Sequence, residues 1–232
     1  MNEALLLLIA LVSVAFVFTS WRLGKERLYS AIIVFLILIA TVGGKTADFF
    51  GHTTNTGNIF YASVFLATYF LIERYGKLEG LRSIWIGIIS VVFFTFLVYL
   101  SIALIGSPQT ASLNSALSAA FNPVTRIALA SLVAYFFSQT VNVYTYTFFK
   151  ERWKGAHLWL RANIANAIAQ VVDSIIFFTI AFAGTVDRMD VLGILATGFL
   201  LKVIYMMCAT PLLYLNKMEE EEAGHTTTIV MH

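Results

Sequence analysis

Charge is what this chain has least of. Only 12% of its 232 residues are Asp, Glu, Lys or Arg, where a soluble domain carries about 25%. With 59% hydrophobic residues and a mean hydropathy of +0.82, that shortage excludes an ordinary water-soluble enzyme and leaves little chain for any soluble domain. Cysteine is nearly missing too. Cys208 stands alone, so no intrachain disulfide and no thiolate metal cluster can form. Its expected place is that of a small core residue in the last apolar run. His52, His157, His225 and His232 have no ligand spacing among themselves, so no metal site is expected. Gly43-Gly44-Lys45-Thr46 has the tail of a phosphate-binding loop, but Ile39 stands where that loop needs glycine and no strand precedes it. Lys45 is expected at the outer membrane surface instead. No nucleophile–base set is present, so neither enzymatic activity nor a cofactor is expected. A retinal protein is excluded by Gly198, one turn before Lys202, and by Tyr69 in the middle of the third run, because both places call for an acid.

What the chain has in abundance is apolar length. Seven runs, 4–21, 28–50, 58–75, 83–105, 125–149, 157–183 and 189–215, each reach the span of about 17–25 residues that a bilayer requires. The first starts Met1-Asn2-Glu3 and is followed, not preceded, by Arg22, Lys25 and Arg27, which fits a retained anchor with its N-terminus outside better than a cleaved signal. Bases then alternate along the loops. Three lie between runs one and two, three between runs three and four (Arg74, Lys77, Arg82) and three between runs five and six (Lys150, Arg152, Lys154). The opposite loops carry none, none and Arg188 alone. This positive-inside pattern predicts an all-α polytopic membrane helix bundle of about seven transmembrane helices, six remaining open, with the N-terminus outside and the C-terminus cytoplasmic. Residues 1–232 read as one domain, with 218–232 a short frayed cytoplasmic tail holding Glu219 to Glu222. Loop 106–124 is the longest. It opens at Pro108 and is weakly helical over 111–120, which leaves both an external lid and a re-entrant piece open. No internal repeat is visible.

Polar residues inside the runs point to function, because a central Asp or Lys costs about 2.5–3.5 kcal/mol and must be paired or face water. Asn163, Asn166, Gln170 and Asp173 are spaced three, four and three apart and fall within about 80° on a helix. Ser131, Tyr135, Ser138, Gln139, Asn142, Thr145 and Tyr146 form a second stripe on run five. Lys202 is near the midplane of the last run and Asp173 somewhat outside that of run six. They read as an ion pair between these helices, as groups facing a cavity, or as both. Glu73, near the cytoplasmic end of run three, reads as an interfacial acid paired with Arg74 or Lys77, or as a coupling residue. Amides offer donor and acceptor side by side, and a carboxylate accepts two bonds, so Gln139, Asn142, Asn163, Asn166, Gln170 and Asp173 can read the edge of a planar heterocycle. Tyr69, Tyr135, Phe136 and Tyr146 can stack on its faces.

Four stretches carry a family resemblance. They are Gly44-Lys45 to Gly57; Phe65-Leu-Ala-Thr with Glu73-Arg-Tyr-Gly-Lys77; Arg126 to Phe149 with Ala134-Tyr135, Ser138-Gln139 and Asn142-Val143; and Leu158-Trp-Leu-Arg161 with Gln170-Val-Val-Asp173-Ser, Phe177 and Ala181-Phe182. Together with Lys202-Val203 these resemble the vitamin uptake transporter family, whose best-understood members are prokaryotic queuosine precursor transporters. The resemblance implies a multi-pass protein of the prokaryotic inner membrane that imports a 7-deazaguanine-type base such as preQ0, preQ1 or queuine by alternating access. Proton coupling and facilitated diffusion with intracellular trapping fit equally well. The alternative is a substrate-binding membrane subunit of an ATP-driven uptake complex. Expected partners are a small nucleobase-like molecule and the lipid bilayer, not nucleic acid, and a homo-oligomer is compatible with the chain. Two positions depart from the family pattern: Tyr69 and Asn142 stand where it has acids. A nitrile or plain deazapurine suits the lost negative charge better than an aminomethyl cation.

Overall fold

Two of the junctions between long helices are single glycines. Gly24, at φ +109°, separates α1 (Asn2–Leu23) from α2 (Lys25–Val42), and Gly76, at φ +89°, separates α3 (Gly57–Tyr75) from α4 (Lys77–Ala103). Only glycine takes these values without a steric penalty, so the chain reverses there in one residue. The computed structural model describes residues 2–49, 51–121, 125–182 and 188–215. Among them, α5 (Ala111–Phe121), α6 (Thr125–Arg152), α7 (Leu158–Phe182) and α8 (Arg188–Ala209) complete the helices, and a hairpin of β1 (Thr46–Phe49) and β2 (His52–Asn55) joins α2 to α3. The protein is thus an all-α bundle with one small hairpin. The tail 218–232 lies outside the described residues.

Every helix except α5 has between 18 and 28 residues and matches one of the seven apolar runs. Four stretches, Asn2–Leu23, Lys77–Ala103, Leu158–Ile180 and Thr197–Leu215, are long and apolar enough on their own to cross a membrane. Helix α3, which begins Gly57-Asn58 and ends Glu73-Arg74-Tyr75, is not among them. From Ile59 to Ile72 all its residues but Tyr61 are buried, so it is surrounded by protein rather than lipid and carries no apolar stripe. It is the axis of the bundle, with α1, α2, α4, α6 and α8 packed around it. Trp21 of α1, fully buried, stacks on Phe70 at 5.1 Å. The lipid-facing surface is left to other helices. Leu5, Leu8 and Leu11 on α1 and Trp85, Ile89, Phe93 and Phe96 on α4 point outward, a surface that a soluble protein could not tolerate.

The structure differs from two of the expectations drawn from the sequence. The second run does not continue as helix to residue 50. It ends at Val42, and Thr46–Phe49 pairs antiparallel with His52–Asn55, Thr46 opposite Asn55. The stem is closed by the Gly57 N–H donating to the Gly43 carbonyl at 3.2 Å. Part of the stretch at 106–124 is helical, as the small residues of 111–120 suggest. After a 3-10 turn at Pro108–Thr110, α5 lies against α4, Phe121 edge-on to Phe94 at 6.4 Å, and buries none of its residues. Cys208 is exposed rather than in the core, because Tyr205, Met206 and Ala209 take the inward face of α8.

The junctions rich in Lys and Arg gather at one end of the bundle. Lys25 at the start of α2 reaches Glu79 at the start of α4 (3.6 Å), where Tyr29 and Arg82 also bond the same carboxylate. Lys150 at the end of α6 reaches Glu73 at the end of α3. The hairpin closes the other end, where the Asn2 amide donates to the Asp48 carbonyl and Asn58 bonds Thr54.

Candidate functional site

Tyr61, Tyr69 and Glu73 on α3 are spaced eight and four residues apart, which places them along one side of the helix. From Tyr61 to Glu73 the helix rises about 18 Å, at 1.5 Å per residue. Against this side lie the polar stripes of α6 and α7, and together they form a column of polar groups inside the bundle, with a charged cluster at each end.

Near the hairpin end the cluster centres on Asp173 of α7. The Tyr61 hydroxyl donates to Asp173 Oδ1 at 2.7 Å and lies 2.8 Å from Ser138 Oγ, itself 3.4 Å from the same oxygen. Lys202 of α8 reaches Asp173 Oδ2 at 3.4 Å, its ammonium 4.7 Å from the Tyr61 ring centroid. Tyr135 is edge-on to Tyr61 at 6.2 Å. At the basic end the cluster centres on Glu73. Arg161 Nη2 donates to Glu73 Oε2 at 2.7 Å, Lys150 is 3.3 Å from Oε1, and the Tyr146 hydroxyl donates to Oε1 at 2.8 Å. The Arg161 Nη1 donates to the Gly155 and Ala156 carbonyls, and its guanidinium faces the Tyr146 ring at 5.3 Å.

The amides lie between the clusters. Antiparallel helices that meet at Ser138–Asp173 and at Tyr146–Arg161 place Gln139 opposite Gln170 and Asn142 opposite Asn166 in between. Gln139, Asn142, Asn166 and Gln170 are fully buried. The Gln170 amide bonds Asn166 at 3.4 Å, and the Tyr69 hydroxyl bonds Asn142 Oδ1 at 2.7 Å and the Ala162 carbonyl at 2.9 Å. Beyond these bonds the set is unsatisfied. Both polar atoms of Gln139, Nδ2 of Asn142 and Asn166, and Oε1 of Gln170 have no partner within the protein, nor do Nε of Arg161 and Oδ1 of Asn163. A buried polar atom left unpaired costs about 1–3 kcal/mol. The five in the amide layer would together cost as much as the whole stability of a typical domain, about 5–15 kcal/mol. The amide layer therefore needs partners from water or from a bound polar molecule.

Not every residue singled out in the sequence belongs to this layer. Asn163 faces the end of α8, donating to the Trp159 carbonyl at 2.8 Å and to Thr210 at 3.1 Å. The ring of Tyr69 is stacked on Tyr146 at 4.5 Å. Phe136 packs beside Trp85. Glu73 does not pair with Arg74 or Lys77. Arg74 turns to the Trp21 carbonyl and Lys77 lies over the Tyr144 ring, because Glu73 faces α6 and α7 while its neighbours in sequence project elsewhere around the helix. Tyr61 was missed, although its spacing to Tyr69 and Glu73 was a usable signal. Arg161 entered only through the family pattern. Its signal was an arginine four residues inside an apolar run.

A cleft of about 380 Å³ opens at the basic end, lined by Lys77, Lys150, Glu151 and Lys154. It shares Lys150 with the Glu73 cluster.

This architecture, apolar helices around a buried polar column, defines a multi-pass helical membrane protein. The family described as "Putative vitamin uptake transporter" matches residues 55–216, the part of the chain that holds the whole column. A protein of Bacillus subtilis (strain 168) named "Probable queuosine precursor transporter" is 33% identical over 175 residues, 75% of this chain and 76% of that protein. No solved structure matches. The chain belongs to the vitamin uptake transporter family. It is a multi-pass membrane transporter of a small molecule, and its relatives are transporters rather than enzymes.

Proposed function

We propose that the protein is a secondary transporter that imports a queuosine precursor, a 7-deazaguanine-type base, across the prokaryotic inner membrane by alternating access. The observation that carries this reading is the layer of buried amides without protein partners between α6 and α7. A 7-deazaguanine ring is planar and small, with a lactam and an amino group on one edge. Gln139, Asn142, Asn166 and Gln170 would meet such an edge with both donors and acceptors. Asp173 accepts from the ring N–H and amino group, oriented for this by Tyr61 and Ser138, and Tyr135 closes over a face. Asn163, Tyr69 and Glu73 support the layer rather than touch the base. With the basic end toward the cytoplasm, the Asp173–Lys202 cluster lies on the outer side of the bound base and the Glu73–Arg161 cluster on the inner side. Opening one cluster while the other stays closed moves the base across.

The test is uptake of a labelled precursor by cells that lack their own synthesis of the base, with and without the chain. Uptake that depends on the chain and is competed by unlabelled 7-deazaguanine supports the reading. Equal uptake with and without it refutes the reading.

A further inference from the structure

We infer that Lys202 fixes the charge of the ligand: by neutralising Asp173 it reserves the amide layer for an uncharged planar base and turns away the same ring carrying an ammonium group. This rests on the transport reading above.

Lys202 is only 8% exposed. Among the described residues Asp173 is the one carboxylate within ion-pair distance of it, and Lys202 is the one cation that reaches Asp173. Both oxygens of Asp173 are engaged, Oδ1 by two hydroxyls and Oδ2 by the ammonium. The other residues of the layer, Gln139, Asn142, Asn166 and Gln170, are neutral. So is Tyr69, which bonds Asn142. The further charges on the column, Glu73 with Arg161 and Lys150, are gathered about 18 Å along α3 from Tyr61. At the Asp173 end of the layer the charge therefore balances to zero without a ligand.

A neutral base leaves that balance intact. It can share the free lone pairs of Asp173 with Lys202 in place. A base bearing an ammonium brings a second cation beside Lys202, with one carboxylate between two positive charges and little water to screen them. Like charges repel several times more strongly in such a site than in bulk water. The discrimination is therefore by charge rather than shape, and its seat is a lysine on α8, outside the amide stripes that touch the ring.

The experiment compares two probes in cells expressing the full chain: 7-deazaguanine bearing a nitrile and the same ring bearing an aminomethyl cation. The wild-type protein is expected to take up the nitrile form at least tenfold more efficiently, equivalent to about 1.4 kcal/mol. Lys202→Gln leaves Asp173 unbalanced and shifts the ratio at least tenfold toward the cation. Lys202→Arg keeps the wild-type ratio. The inference is overturned if wild-type protein takes up both forms equally, which needs no variant, or if Lys202→Gln at wild-type membrane abundance keeps the wild-type ratio. Equal uptake of both forms leaves transport standing and removes only the role of Lys202. Uptake of neither form removes both.

Discussion

Replacing Glu73 by Gln keeps the shape of the side chain and removes the charge on which one end of the column depends. Arg161, 2.7 Å away, has a side chain 1% exposed and cannot turn to water. It keeps two backbone carbonyls but loses its counter-ion, and breaking a buried pair from one side costs about 3–5 kcal/mol. Lys150, 30% exposed at 3.3 Å, reaches solvent and adds only about 0–1 kcal/mol. In a chain of this size each kcal/mol moves Tm by about 2–4 °C, so Glu73→Gln is expected to lower Tm by about 6–20 °C. Tryptophan fluorescence of the detergent-solubilised protein during heating reads this directly. Glu73→Met with Arg161→Met removes both charges and should cost less than the two single changes together, by about 0.5–3 kcal/mol. A fall in Tm under about 2 °C for Glu73→Gln, or strict additivity in the double variant, would refute the buried pair.

Tyr61→Phe keeps the ring below Lys202 and deletes the hydroxyl that orients Asp173. A hydrogen bond to a charged group is worth about 1.5–3 kcal/mol, so uptake efficiency should fall about ten- to hundredfold, and unchanged uptake would show that Asp173 does not depend on it. Asn163→Ala removes a tie between α7 and the end of α8 and is expected to lower stability by about 1 kcal/mol, while uptake per folded molecule stays at the wild-type level. A loss of substrate affinity would return Asn163 to the amide layer. Gly57→Ala puts a methyl 2.8 Å from Asn55 Oδ1 and 3.0 Å from the Gly43 backbone at the hairpin stem, where the side chain can shift but the backbone cannot. A stability loss of about 1–3 kcal/mol is expected in thermal unfolding, and a neutral result would mean that the stem is open.

The seven apolar runs, the gathering of Lys and Arg at one end and the polar stripes of α6 and α7 were legible in the sequence, because helical period and membrane length are local properties. So was the meeting of Asp173 with Lys202, the only ionisable residues deep in their runs. The centrality of α3 was not, since a helix buried in protein and a helix facing lipid use the same Phe, Leu, Ile and Ala. Tyr61 read as an ordinary aromatic for the same reason. The Glu73–Arg161 pair joins residues 88 positions apart, while nearer bases offered themselves to Glu73. The hairpin hid in the end of an apolar run, where Thr46–Phe49 adds length without helix. The touching of Tyr69 and Asn142, the two positions that depart from the family's acids, is visible only in three dimensions.

Whether the layer beside Asp173 holds the transported base is read most directly from precursor uptake by cells expressing Asp173→Asn or Gln170→Ala at wild-type membrane abundance. Both variants should lose at least tenfold in uptake efficiency, about 1.4 kcal/mol each. Normal transport by both would place the base elsewhere in the bundle.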